Sequence, residues 1–258
     1  MAIPVSSSEQ IPRVLVVTGG SGGIGAATAR LAAKRGYRVC INYRTDESGA
    51  NRIVDEIREH GGTAIAVQAD ISDESAVVAL FETVEVHLGP VTDLVNNAAT
   101  LETQMRLDSM DVARFRRVFE TNVFGTMLCS REAVRRMSTR LGGVGGNIVN
   151  VSSGAALTGA PGEYVVYAAS KGAVETFTVG LAREVAEESI RVNGVRPGFI
   201  YTDLHSKGGE PSRVDRVKTL VPMQRGGQPS EVAAAILWLL SSEASYITGT
   251  FIDVAGGR

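Results

Sequence analysis

The 258-residue sequence predicts a single α/β domain: a doubly wound parallel sheet of about seven strands with helices on both faces. Three observations lead there. Short β-branched runs alternate with longer stretches whose apolar residues recur at helical spacing, the pattern of parallel strands joined by right-handed helical crossovers. The first of those runs breaks at a glycine cluster and passes straight into an alanine-rich stretch. No internal repeat and no linker divides the chain.

The elements follow in order. Residues 14–17 (VLVV) form a continuous apolar run, which suits a strand buried on both faces. The glycines from Gly19 to Gly25 make a turn, and the stretch behind them, AATARLAAKR, consists largely of good helix formers. Such a turn between a buried strand and a helix N-terminus is an anion site, because backbone N–H groups and the positive end of the helix dipole converge there. Missing Cβ atoms let a diphosphate approach, and Gly20-x-Gly22-x-x-Gly25 satisfies the dinucleotide spacing in that context. Residues 37–43 read as a second strand and 46–60 as a helix stopped by Gly61-Gly62. A third strand spans 63–68. Val77, Leu80, Phe81, Val84 and Leu88 then mark a packed helix over 73–88. A fourth strand, 91–95, ends in Asn96-Asn97-Ala98-Ala99, and one long helix is expected over 110–137. The glycine-rich link 142–146 delivers a fifth strand, 147–151. A helix over 164–187 leads to a sixth strand at 191–196, and a helix over 230–241 precedes the last strand at 250–254.

Composition excludes several classes. Twenty-six Lys+Arg against 28 Asp+Glu give a net charge of −2, which does not suit a polyanion-binding surface, so no nucleic-acid partner is expected. The basic cluster Arg114, Arg116, Arg117, Arg131, Arg135 and Arg136 reads as a solvated or subunit-contact face of the long helix. Cys40 and Cys129 lie in apolar settings and form no CxxC, which fits buried free thiols in a reducing, cytoplasmic compartment. Three scattered histidines form no metal motif, so no metal is expected. The first dozen residues show no basic segment followed by a long apolar core, and no secretory signal or membrane partner is expected. The longest apolar run, 232–240, is far too short to span a bilayer.

The regular alternation is interrupted once, at residues 197–229, which carry Pro197-Gly198, Gly208-Gly209, Pro211, Pro222 and Gly226-Gly227. An insertion leaving the C-terminal end of a parallel strand lies where such sheets bind ligands, and 203–227 is expected to act as a substrate lid. Tyr167 and Lys171 are spaced to share one helical face, which continues through Val174, Thr178, Leu181 and Val185 and so points inward. An unpaired lysine on such a face is costly and calls for a reason. A cation near a phenol favours the phenolate and brings it closer to the range useful for proton transfer. Ser152-Ser153, at the end of the fifth strand, places a hydroxyl at the same sheet edge.

These residues together resemble the short-chain dehydrogenase/reductase family over nearly the whole chain. Thr18-Gly19-x-x-x-Gly23-x-Gly25 is similar to its cofactor turn, and Asn96-Asn97-Ala98 to its fourth-strand motif, although Ala99 stands where a glycine is usual. Asn122, Ser153, Tyr167 and Lys171 match its catalytic tetrad, and Pro197-Gly198 with Thr202 matches the segment at the nicotinamide end. The Ser153–Tyr167 interval of 14 residues is one more than is common, and 159–163 would absorb the extra residue. The resemblance implies a Rossmann fold and hydride transfer between a nicotinamide and a small carbonyl or alcohol substrate, with Tyr167 moving the proton. Lys171 would lower the tyrosine pKa and hold the ribose hydroxyls, Ser153 would polarise the substrate oxygen, and Asn122 would hold a water linking Lys171 to solvent. The cofactor would touch Gly19, Ser21, Gly22, Gly23, Ile24 and Gly25. It would also meet Tyr43, Arg44, Asp70, Ile71, Asn97, Ala98, Tyr167, Lys171, Pro197, Gly198, Ile200 and Thr202.

An acid at the end of the second strand would select NAD, but the chain offers Asn42, Tyr43 and Arg44, and Arg44 can pair with a 2′-phosphate. NADP is therefore expected, with NAD kept possible by Asp46 and Glu47, which otherwise cap a helix. Glu163, Tyr164, Tyr201, His205 and Met223 are candidate pocket residues and fix no substrate. Polyols and sugars, 3-oxoacyl thioesters and small ketones stay open, with glucose-dehydrogenase-like and 3-oxoacyl-reductase-like members the nearest resemblances. The helices over 110–137 and 164–187 resemble those that pair between subunits, implying a homo-oligomer, dimer or tetramer. A non-catalytic NADP-sensing regulator and a sugar-nucleotide epimerase are the rival readings.

Overall fold

The computed structural model describes residues 12–258. The reading of the first dozen residues falls almost wholly outside them. Seven parallel strands form one sheet in the order β3-β2-β1-β4-β5-β6-β7. In chain order the elements begin with β1 (Val14–Val17), α1 (Gly23–Lys34), β2 (Arg38–Tyr43), α2 (Glu47–Glu59), β3 (Thr63–Gln68), α3 (Glu74–Leu88) and β4 (Asp93–Asn96). There follow α4 (Val112–Phe119), α5 (Thr126–Met137), β5 (Gly146–Val151), α6 (Ala155–Thr158), α7 (Val165–Glu184) and β6 (Ile190–Pro197). The chain closes with α8 (Leu204–Lys207), α9 (Arg213–Val217), α10 (Pro229–Leu240) and β7 (Phe251–Val254).

Side-chain alternation along the strands divides the core into two layers. Leu15, Val17, Val39, Ile41, Val149 and Val151 face one side with α1, α2 and α10. Val14, Val16, Cys40, Leu94 and Ile148 face the other with α3, α5 and α7. Both faces are covered, which is why the strands read as unbroken apolar runs. Cys40 and Cys129 are buried free thiols, and burial raises both pKa values, Cys129 to about 12. No helix among the described residues is long and apolar enough to cross a membrane, and none of their His, Cys, Asp and Glu side chains form a metal-sized cluster.

One expected element is corrected. The helix over 110–137 is not continuous: α4 gives way to a π-helical turn, Glu120–Gly125, before α5 begins. The physical cause is Asn122, fully buried in that turn. Its Oδ1 accepts the N–H of Thr100 (2.7 Å), and its Nδ2 donates to the Thr100 carbonyl (3.1 Å) and to Ser170 Oγ (3.0 Å). Widening the turn lets the amide reach the chain beyond β4, and such bulges recur at functional sites. The arginines of this stretch are largely paired: Arg117 with Glu102, Arg131 with Glu74, Arg135 with Glu132, and Arg136 with Glu85 and Glu132.

The strand order reverses between β1 and β4, so their connections diverge to opposite faces and leave a crevice at the C-terminal edge. The insertion after β6 folds over that edge. Its ends are tied where Tyr201 N–H donates to the Gly227 carbonyl (3.0 Å) and Gly227 N–H to the Phe199 carbonyl (2.8 Å). Between them, Glu210 binds Gln104, Arg213 and Arg216, and Tyr164 Oη donates to the Gly208 carbonyl (3.1 Å).

Candidate active site

The turn after β1 is stapled to the chain beyond β4. Thr18 Oγ1 accepts the N–H groups of Asn97 (3.0 Å) and Ala98 (3.1 Å), while Asn97 Nδ2 donates to the carbonyls of Thr18 (3.0 Å) and Gly19 (2.9 Å). The packing leaves no room for side chains. A Cβ on Gly25 would lie 2.5 Å from the Gly19 carbonyl oxygen, and one on Gly19, where φ is +61°, 2.9 Å from Ala98 Cα. Gly22 differs: a Cβ there would meet nothing within 4 Å, since it borders an open cleft. Helix α1 starts at this point with no side-chain cap and no acidic residue in its first turn. Its first N–H groups and its dipole are thus available to an external anion. A diphosphate fits this cradle.

The same cleft is bordered by the glycine turn from Gly19 to Ile24, apart from Gly20, and by Tyr43, Arg44, Asp70, Ile71, Asn97, Ala98 and Thr202, all expected from the sequence. Gly25 lies beneath it as the packing glycine. Asp46, one of the two acids that kept NAD open, caps α2 by accepting Gly49 N–H (3.0 Å). Arg44 is mostly exposed, its Nη1 3.9 Å from Asp70 Oδ2, while the other Asp70 oxygen holds the N–H (3.0 Å) and hydroxyl (2.7 Å) of Ser72. Thr45, Thr100 and Thr121 also border the cleft. Sequence reasoning passed over them, and only adjacency to the chosen motifs could have found them.

A second cleft of about 390 Å³ joins the first at Ile24, Asn97, Ala99 and Thr202. Ser153, Tyr167, Lys171, Pro197, Gly198 and Ile200 border it. Glu163 and Tyr164 line it as expected. Met223 borders a neighbouring cleft instead, Tyr201 Oη donates to Asp215 (3.0 Å), and the side chain of His205 lies outside the described ones. Gly159, Ala160 and Gly162 adopt positive φ in the turn before α7, between Ser153 and Tyr167.

The two serines part company. Ser152 is 2 % exposed and, although it too borders the cleft, donates its hydroxyl to Glu175 Oε1 (2.7 Å). Ser153 Oγ accepts Ala155 N–H (3.1 Å) and lies near enough to the Tyr167 phenol to favour its ionised form. Lys171, 3 % exposed, donates to the Val151 carbonyl (2.7 Å), with Nζ 5.7 Å from the centre of the Tyr167 ring. Asn122 connects to the same helix through Ser170, which donates to the Tyr167 carbonyl (2.7 Å).

Burial sets the direction of both pKa values in this pair. Burial pushes the Tyr167 phenol up to about 12, opposed only by the Ser153 hydroxyl. The same burial drives the pKa of Lys171 down to about 8, and its ammonium donates to a backbone carbonyl. The pair sits in a site where desolvation outweighs mutual attraction.

A pH effect follows. Lys171 has a folded pKa below its unfolded value, so the unfolded chain binds the additional proton between about pH 8 and 10.5. The burial penalty is present in full below pH 8 and is relieved as pH rises through that window. Lys171→Met should therefore melt higher than the wild type at pH 7, with the gap narrowing towards pH 10. A gap that widens with pH would contradict the assignment.

Comparison with known proteins gives a consistent result. A family model described as enoyl-(acyl carrier protein) reductase matches residues 19–258. The uncharacterized oxidoreductase YgfF of Escherichia coli K12 is 57 % identical over 245 residues, 95 % of this chain and 99 % of that protein. The 3-ketoacyl-(acyl-carrier-protein) reductase of Brucella melitensis, solved with NADH, is 34 % identical with a TM-score of 0.88, covering 95 % of this chain and 98 % of that one. A blue fluorescent protein from a metagenomic library, solved with NADPH, is 32 % identical with a TM-score of 0.86, over 95 % and 97 % of the two chains.

Proposed function

Because the chain belongs to the short-chain dehydrogenase/reductase family, we propose that it transfers a hydride between NADP(H) and a carbonyl or secondary-alcohol substrate, with Tyr167 as general acid and base. It is an NAD(P)-dependent dehydrogenase/reductase; the cofactor choice and the residue roles are the proposal. The observation that carries it is the convergence of Ser153, Tyr167 and Lys171 beside the glycine turn, in one continuous cleft. The bound nicotinamide supplies or takes the hydride. Tyr167 gives its phenolic proton to the substrate oxygen in reduction and takes it back in oxidation. Ser153 donates to that oxygen and orients it. Lys171 keeps N–H donors beyond the one taken by the Val151 carbonyl, and these would hold the ribose hydroxyls of a bound cofactor. Asn122 braces the wall between Thr100 and α7, where it would hold a water linking Lys171 to solvent.

Arg44 supports NADP, as the one cation at the end of β2, within the cleft and open to solvent. Both Tyr167 and Lys171 are present, and a cofactor sensor would need neither. Phe124, in the π turn, and Val112, at the start of α4, lie 56 % and 60 % exposed, which supports pairing of this helical segment between copies in a dimer or tetramer. The 203–227 segment would open and close over the second cleft.

The lining of that cleft supports a substrate with a hydrocarbon flank over a sugar: Leu101, Val151, Leu157, Tyr164, Phe199 and Leu204 face it. With NADP, 1-indanol should show a kcat/KM at least about ten-fold above that of glucose, since apolar burial discriminates by that order. Faster turnover of glucose would overturn this substrate class.

A further inference from the structure

Immediately beside Ser153 lies a polar clamp to which proton transfer assigns no role. Ser152 donates its hydroxyl to Glu175 Oε1 at 2.7 Å. Arg196, from β6, grips the same carboxylate with both arms, Nε to Oε1 at 2.7 Å and Nη2 to Oε2 at 2.9 Å. Its guanidinium stacks on Phe251 at 4.6 Å and reaches Asp253 at 3.3 Å. The carboxylate is held ionised by a bidentate, charge-assisted pair, and one of its oxygens also receives the serine.

Glu175 stands on α7 eight residues after Tyr167 and four after Lys171, so all three share one face of one helix. Ser152 and Ser153 are chemically equivalent neighbours at the end of β5, and successive side chains of an extended chain point to opposite sides. What separates them is the acceptor on the far side.

We infer that Glu175 is a positioning residue: by taking the Ser152 hydroxyl it fixes the rotation of the chain at the end of β5, and so aims Ser153 at Tyr167. The clamp references the strand end to the helix that carries the phenol and the lysine, so all three groups move as one body. Arg196 keeps the carboxylate in place and is itself held back from the substrate cleft that it borders. This inference rests on the proton-transfer reading given above.

The test compares Ser152→Ala, Glu175→Gln and the double variant, with Tyr167→Phe in parallel, on the alcohol that the wild-type protein oxidises fastest with NADP. Ser152→Ala removes one oxygen and leaves the Arg196–Glu175 pair intact, so it is expected to fold normally. Its kcat should fall about ten-fold, the order expected for a misdirected donor, with the KM for NADP and the melting temperature unchanged. Glu175→Gln should lower kcat similarly, and the double variant should be no slower than the slower single one, because both act through one contact. Wild-type kcat in Ser152→Ala, additive losses in the double variant, or losses that track a falling melting temperature would each overturn the inference. The parallel variant separates the two readings. Full activity of Tyr167→Phe defeats the proton-transfer reading, whereas an inactive Tyr167→Phe beside a fully active Ser152→Ala defeats the clamp alone.

Discussion

Tyr167→Phe is expected to lower kcat by about a thousand-fold while leaving NADPH affinity within about two-fold of the wild type, because a positioned general acid contributes on the order of 10²–10⁴. The substitution removes one hydroxyl and keeps the ring that Lys171 overlies at 5.7 Å. It therefore leaves the packing of α7 and the Val151 contact of Lys171 in place. The phenol is protonated near neutral pH and burial holds its pKa above the ordinary value, so it can donate to a substrate oxygen, and the Ser153 hydroxyl beside it offers a route to a lower pKa when charge develops there. Turnover and cofactor quenching of tryptophan fluorescence, measured on the same preparation, separate the two effects. Retained turnover would remove Tyr167 from the mechanism, and lost binding would make it a structural residue.

The second large effect concerns Arg44. Arg44→Ala should raise the KM for NADP by about 10–100-fold and leave that for NAD nearly unchanged, since hydrogen bonds to a charged group contribute about 1.5–3 kcal/mol. The guanidinium is 58 % exposed and only 3.9 Å from Asp70, so its removal costs the fold little. A wild-type protein that saturates at lower NAD than NADP, or a variant indifferent to the 2′-phosphate, would show that Arg44 does not read that group.

Much of this site is legible in the sequence because backbone geometry dictates it. Only glycine fits at Gly19 and Gly25, against Ala98 and the Gly19 carbonyl, so the turn after β1 must be written in glycines. A strand buried on both faces must be an apolar run, and β1 falls at the residues expected. Where the decisive contact comes from a distant segment, local pattern is silent. The sequence around Asn122 carries helical spacing on both sides, and the π turn arises from the demand of Thr100 for a partner. Arg213 reads as a surface charge. It is 7 % exposed because Glu163 and Glu210 pair with it and the rings of Tyr164 and Phe199 cover it. The choice between Ser152 and Ser153 depends on Glu175, more than 20 residues away, and no spacing rule contains it. The balance of charge at Tyr167 is hidden for the same reason, since desolvation belongs to the assembled site and not to the motif.

The most direct measurement is isotope transfer. Wild-type protein with NADP and a secondary alcohol deuterated at its carbinol carbon should yield NADPH one mass unit heavier, and the rate should fall when deuterium replaces hydrogen. A cofactor that binds tightly yet returns unlabelled and oxidised across a panel of alcohols and ketones would contradict hydride transfer in this cleft.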